Sequence, residues 1–155
     1  MDFLSIGTND LAQYVLAADR NNAQVATPHD SLHPAVLDAI QRSVQGAHGQ
    51  GKPISVCGEL AGEPAGALAL LGMGVDGLSM SPARLAQVKL VIRSFTRERA
   101  RALLHTALGM EDAFAVHRLL NGALEEAEVG ENPVTMPGRR LSSESATRVG
   151  EKTLP

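Results

Sequence analysis

A chain of 155 residues, 44% of them hydrophobic, is long enough for one domain with a buried core. Its 14 basic and 17 acidic side chains leave a formal net charge of -3, and neither sign gathers into a block, so nucleic acid is excluded as an expected partner. The single cysteine, Cys57, rules out an internal disulfide and suits a reducing, cytoplasmic compartment.

The N-terminus has neither the basic start nor the apolar run of a signal peptide. The most apolar stretch, Ala65–Val75, is interrupted by Gly66, Gly72 and Gly74, so no membrane segment is expected. With one tyrosine, three phenylalanines and no tryptophan, the core must be built from Leu, Val, Ile, Met and Ala.

Phe3–Ile6 reads as a strand running into the polar turn Gly7-Thr8-Asn9-Asp10. Leu11, Tyr14, Val15 and Ala18 then recur at helical spacing, with Asn9 or Asp10 placed to cap the helix. Asp19–Leu32 is a long polar loop of the kind that carries function or covers a site. Pro34 opens a helix whose apolar face is Val36, Leu37, Ile40, Val44 and Ala47, ending at Gly49 and Gly51. Ile54–Cys57 is the second strand, followed by Gly58-Glu59-Leu60-Ala61-Gly62 and a helix from Pro64 through Leu71 to Gly72. Gly77–Met80 is the third strand. Ser81 and Pro82 start another helix, lined by Leu85, Val88, Val91 and Ile92.

Strand and helix therefore alternate three times, which implies parallel pairing with helical crossovers. Two further amphipathic helices follow, one marked by Ala100, Leu103, Leu104, Ala107 and Leu108, the other by Val116, Leu119, Leu120, Ala123 and Leu124. These elements predict an α/β domain over residues 1–127. Residues 128–155 lose the periodicity and have the composition of a disordered tail.

Two constellations carry chemistry. Gly7-Thr8-Asn9-Asp10-Leu11 sets an amide and a carboxylate at the C-terminal end of a strand, beside a helix N-terminus. That position suits an anion, or a hard cation held by oxygen ligands, while on spacing alone a plain helix cap is the commoner reading. Cys57-Gly58-Glu59 ends the second strand, where the thiol reads as a nucleophile, a proton donor or inert packing, and where Gly58 permits close approach by a ligand. Arg20 opens the polar loop, either as a two-pronged clamp for phosphate or carboxylate or as a solvated surface residue. His29 and His33 flank Asp30 without a recognisable metal spacing, and His33-Pro34 marks a helix start; neither histidine is assigned to catalysis.

Taken together, Ser5-Ile6-Gly7-Thr8-Asn9-Asp10-Leu11, Asp19-Arg20, Cys57-Gly58-Glu59-Leu60-Ala61-Gly62 and Leu78-Ser79-Met80-Ser81 resemble, in order and spacing, the C-terminal domain of Enzyme I, the phosphoenolpyruvate–protein phosphotransferase family of the bacterial sugar phosphotransferase system. The resemblance covers roughly residues 2–125. It implies a (β/α)8 TIM barrel that binds phosphoenolpyruvate and Mg²⁺ at the C-terminal ends of its strands, of which this chain would form the C-terminal part, about three βα units with added helices.

By position, the resemblance makes Asn9 a phosphoenolpyruvate contact, Asp10 a substrate contact and Mg²⁺ ligand, and Arg20 a phosphate-binding residue. Cys57 becomes the general acid that protonates the enolate to give pyruvate. It also implies a histidine phosphocarrier protein as partner and a homodimer in the full-length protein. Asp19-Arg20-Asn21-Asn22 and Asp30-Ser31-Leu32-His33-Pro34 look more like the nitrogen-regulatory paralogue. Glu63 stands where the family usually has aspartate.

The family's phosphoacceptor histidine domain, its further arginines and its second carboxylate metal ligand have no counterpart in this sequence. The expectation is therefore a fragment, inactive alone. The alternatives are a piece of a pyruvate, phosphate dikinase or phosphoenolpyruvate synthase, and a non-catalytic half-barrel that associates with other chains through exposed apolar faces, its open sheet edge inviting pairing.

Overall fold

The computed structural model describes residues 1–17 and 30–129. Arg20, most of the polar loop and residues 130–155, where most of the expected tail falls, lie outside the described residues.

Three short parallel strands, β1 (Leu4–Gly7), β2 (Ile54–Cys57) and β3 (Gly77–Ser79), form one sheet in the order β1-β2-β3. The register pairs Gly7 with Cys57 and Cys57 with Ser79. Among the described residues, seven helices accompany the sheet: α1 (Thr8–Leu16), α2 (Pro34–Gly49), α3 (Glu59–Gly62), α4 (Pro64–Met73), α5 (Pro82–Ser94), α6 (Arg97–Leu108) and α7 (Ala113–Glu126). None is long and apolar enough to cross a membrane. The α/β class and the strand–helix alternation agree with the sequence reading. Among the described residues the sheet is open; no barrel closes.

Strand alternation decides what each side of the sheet does. Leu4, Ile6, Ile54, Val56 and Leu78 pack into the core with the helices. Ser5, Ser55 and Gly77, joined side by side by the register, lie on the other face with Cys57. That second face is made of small residues and is left half-exposed or exposed.

The helix α4 is apolar all round and lies at the centre, with every residue from Pro64 to Leu70 buried, the pattern of a helix enclosed on all sides. Its glycines let neighbours approach closely. An ideal Cβ on Gly72 would lie 2.5 Å from the Ala100 carbonyl oxygen, and one on Gly66 would meet the Leu60 carbonyl oxygen. The N-caps of α6 and α7 are side-chain hydrogen bonds: Arg99 N–H donates to Thr96 Oγ1 at 3.2 Å, and Ala115 N–H to Asp112 Oδ1 at 2.8 Å. Pro34 opens α2 as expected, with His33 Nδ1 accepting from Ala35 N–H at 3.2 Å.

Several local expectations need correction. The helix α1 begins at Thr8 with Gly7 as its cap, so Asn9 and Asp10 belong to its first turn and do not precede it. Its fully buried residues are Thr8 and Ala12, with Leu11 and Leu16 partly buried against the core, whereas Tyr14 is 86% exposed. On α5 only Val88 and Val91 are buried, leaving Leu85 and Ile92 exposed. The one-turn helix α3 was not anticipated, since four residues are too few to express a 3.6-residue period. Beyond residue 127, Val129 is still buried in the core, its N–H donating to the Leu124 carbonyl at 2.9 Å.

Candidate functional site

A cavity of about 640 Å³ opens at the carboxyl ends of the strands, lined by Asn9 after β1, Cys57 and Gly58 at the end of β2, Glu59, Gly62 and Glu63 around α3, and Ser79 to Ser81 with Arg84 after β3. Its size is that of a small-molecule pocket. All three strands therefore deliver residues to one place, and the parallel register is the reason: Gly7, Cys57 and Ser79 are neighbours across the sheet.

The first two strand ends are tied together from within. Thr8 is fully buried, and its hydroxyl donates to the Cys57 carbonyl at 3.2 Å. This hydrogen bond fixes the turn after β1 against the last residue of β2. Gly58 makes the contact possible. Its φ of +120° lies in a region that side chains rarely adopt, and an added Cβ would sit 2.5 Å from Thr8 Oγ1 and 3.3 Å from Asn9 Oδ1. The space beside Cys57 is thus taken by the protein's own Thr8 and by Asn9, which lines the cavity.

Of the residues singled out from sequence, Asn9 and Cys57 share the cavity. Cys57 is half-buried. Asp10 is exposed in the first turn of α1 and is not one of the lining residues; Arg20 lies outside the described residues. A carboxylate at a helix N-terminus is favoured by the helix dipole, and Asp10 with the neighbouring Asn9 amide oxygen offers hard oxygen donors of the type Mg²⁺ takes. Among the described residues no group of three or more His, Cys, Asp or Glu could hold a metal. A site built from one carboxylate, substrate oxygens and water is ordinary for Mg²⁺, and of these two donors Asn9 lines the cavity while Asp10 stands beside it in sequence, outside the lining.

Beside the lining residue Glu63, His117 of α7 is hydrogen-bonded to one carboxylate and near a second. Its Nε2 is 2.8 Å from Asp30 Oδ2 and its Nδ1 4.0 Å from Glu63 Oε1. Asp30 also accepts from Leu32 N–H at 2.9 Å, so the residue that leads into α2 is fastened to the side of the pocket. Sequence reasoning missed His117, Thr8 and Arg84. The first two act through contacts 87 and 49 residues apart, which no local pattern encodes. Arg84 was legible in principle, for it occupies the first turn of the helix after β3, much as Asp10 does after β1.

The profile of the family described as PEP-utilising enzyme, PEP-binding domain, matches residues 1–97. Among curated proteins, the chain is 50% identical over 108 residues to a phosphoenolpyruvate-protein phosphotransferase of Cupriavidus necator, covering 70% of this chain and 18% of the relative. It is 41% identical over 126 residues to the protein of the same name from Haemophilus influenzae, covering 81% of this chain and 22% of the relative. A Salmonella typhimurium protein named phosphoenolpyruvate-dependent phosphotransferase system is 41% identical over 130 residues, 84% of this chain and 17% of its own length. The chain thus spans about a fifth of the length of these relatives. With most of its length matched, the chain belongs to the family of PEP-utilising enzymes, within their PEP-binding domain.

Proposed function

We propose that this chain supplies the phosphoenolpyruvate pocket and the proton donor of a phosphoenolpyruvate–protein phosphotransferase. The observation that carries the reading is the meeting of Asn9 and Cys57 on one cavity at the carboxyl ends of adjacent parallel strands, the end at which such folds bind ligands. The relatives' own names favour a protein phosphotransferase over a dikinase.

In this reading Asn9 contacts the substrate, Asp10 ligates Mg²⁺ and Arg20 binds the phosphate. The P–O bond to the enol oxygen breaks as phosphorus bonds to a nitrogen of an acceptor histidine on another domain. The electron pair left behind forms the enolate of pyruvate. Its terminal carbon takes the proton of the Cys57 thiol, leaving pyruvate and a thiolate that is reprotonated from solvent. Cys57 suits this role because strand alternation keeps it off the helix-packed core and on the cavity. Mg²⁺, when bound, neutralises charge on the phosphate oxygens.

The chain would be the C-terminal part of a (β/α)8 barrel. Parallel sheets are normally covered on both faces, and the small-residue face of Ser5, Ser55 and Gly77 is the one the remaining strands would close over. Downstream, the phosphate passes to a histidine phosphocarrier protein, and the complete protein is a cytoplasmic homodimer.

The test is Cys57→Ala in the complete phosphotransferase. Pyruvate release should fall by about 10²–10⁴-fold while phosphoenolpyruvate affinity changes little. Turnover at the wild-type rate would remove Cys57 from the mechanism.

A further inference from the structure

The cavity is poorly matched to its proposed ligand in one respect. Phosphoenolpyruvate carries a carboxylate and a phosphate, yet among the described residues the lining includes two carboxylates, Glu59 and Glu63, and one guanidinium, Arg84. An anion entering there needs compensating positive charge.

We infer that Arg84 is a substrate-recognition residue of this pocket, gripping an oxyanion of the ligand; the inference rests on the phosphoenolpyruvate reading above. Three observations carry it. Arg84 stands in the first turn of α5, its N–H bonded to the Ser81 carbonyl at 3.0 Å, so the residue is anchored at the pocket rim. Its stem lies over Gly62: a Cβ added there would be 3.3 Å from Arg84 Cγ and 3.4 Å from its Cβ, so the absence of a side chain at Gly62 leaves the stem its seat. Among the described residues Arg84 forms an ion pair with neither of the two carboxylates that share its cavity. Its planar fork of donors therefore remains open to a carboxylate or phosphate, the groups it grips in two-pronged fashion.

The single cysteine of the chain makes the test a one-site measurement. Cys57 in the full chain is alkylated with iodoacetamide, which is neutral and so is not steered by the charge at Arg84. The protection given by increasing phosphoenolpyruvate is then read by mass spectrometry. Each variant is compared with its own ligand-free rate. Arg84→Ala should raise the protecting concentration about tenfold or more, and Arg84→Lys, which keeps the charge but not the fork, by less. Inorganic phosphate and pyruvate as separate probes tell which end of the substrate Arg84 holds, by which of the two loses its protection. An unchanged midpoint in Arg84→Ala, with wild-type protection intact, overturns the role of Arg84 alone. No protection of wild-type Cys57 by phosphoenolpyruvate overturns the pocket assignment itself and this inference with it. Arg84→Gln, checked by circular dichroism, serves in place of the alanine variant should that one not fold.

Discussion

At the scale of single residues, the candidate site depends on a glycine whose role the sequence suggested only halfway. A glycine next to Cys57 reads as room for a ligand, but Gly58 gives room to Thr8 and Asn9 instead. Gly58→Ala forces a side chain into a left-handed backbone and against a buried hydroxyl. It should destabilise the fold by roughly 1–3 kcal/mol and displace Asn9, seen as a lower melting temperature together with lost protection of Cys57 by phosphoenolpyruvate. At the opposite end of the sheet, Asp76 Oδ2 accepts from Ile54 N–H at 2.8 Å and lies 2.9 Å from His48 Nε2. The His48 hydrogen bond, followed by that from Ile54, holds the Asp76 carboxyl below its ordinary value of 3.8. A depressed carboxylate stabilises the fold above its unfolded pKa and loses that contribution as pH falls through the lower, folded value. Asp76→Asn should therefore unfold at lower urea than wild type at pH 6, with the difference shrinking below about pH 4; an equal gap at both pH values would remove Asp76 from the acid response.

Among the elements, legibility followed periodicity. The helix α2 has one apolar stripe and one buried face, and its five expected core residues are all buried. On α1 the stripe is split: Leu11 packs against the core while Tyr14 and Val15 are exposed, and the fully buried positions are Thr8, whose hydroxyl bonds across to β2, and Ala12. On α4 periodicity is silent, since apolar residues surround the helix and only the positions of its glycines record where neighbours approach. Gly72 abuts the backbone of Ala100 on α6, so Gly72→Ala must push two helices apart and should cost about 1–3 kcal/mol. Gly46, exposed on α2, has nothing within 4 Å of an added Cβ. Gly46→Ala should stabilise by about 0.5–1 kcal/mol through helix propensity alone. Denaturant titrations of the two variants should move in opposite directions; parallel shifts would mean that the α4–α6 contact is not as tight as described.

For the whole molecule, the α/β class, the parallel order and the meeting of strand ends were legible because strand–helix alternation permits little else, whereas closure of a barrel depends on partners that no pattern in this chain supplies. Among the described residues β1 and β3 each pair with β2 alone, and the face bearing Cys57 has no helix packed over it. Apolar side chains are also exposed: Phe3 just before β1, Tyr14 and Val15 on α1, and Leu85, Leu90 and Ile92 on α5. Unpaired edges and apolar patches invite association. The chain studied alone should therefore self-associate, visible as concentration-dependent sedimentation. It should also fail to transfer phosphate, for phosphoryl transfer depends on positioning and charge stabilisation, and on the proposed reading the acceptor histidine and further phosphate-binding arginines come from other segments. Incubating it with Mg²⁺, labelled phosphoenolpyruvate and a histidine phosphocarrier protein should leave the carrier unlabelled, and adding the rest of a relative's chain, which on the proposed reading supplies the other five βα units, should cover both edges and reduce the self-association. Robust labelling of the carrier by this chain alone would mean that three strands already hold a complete site, and the shared-barrel reading would have to be abandoned.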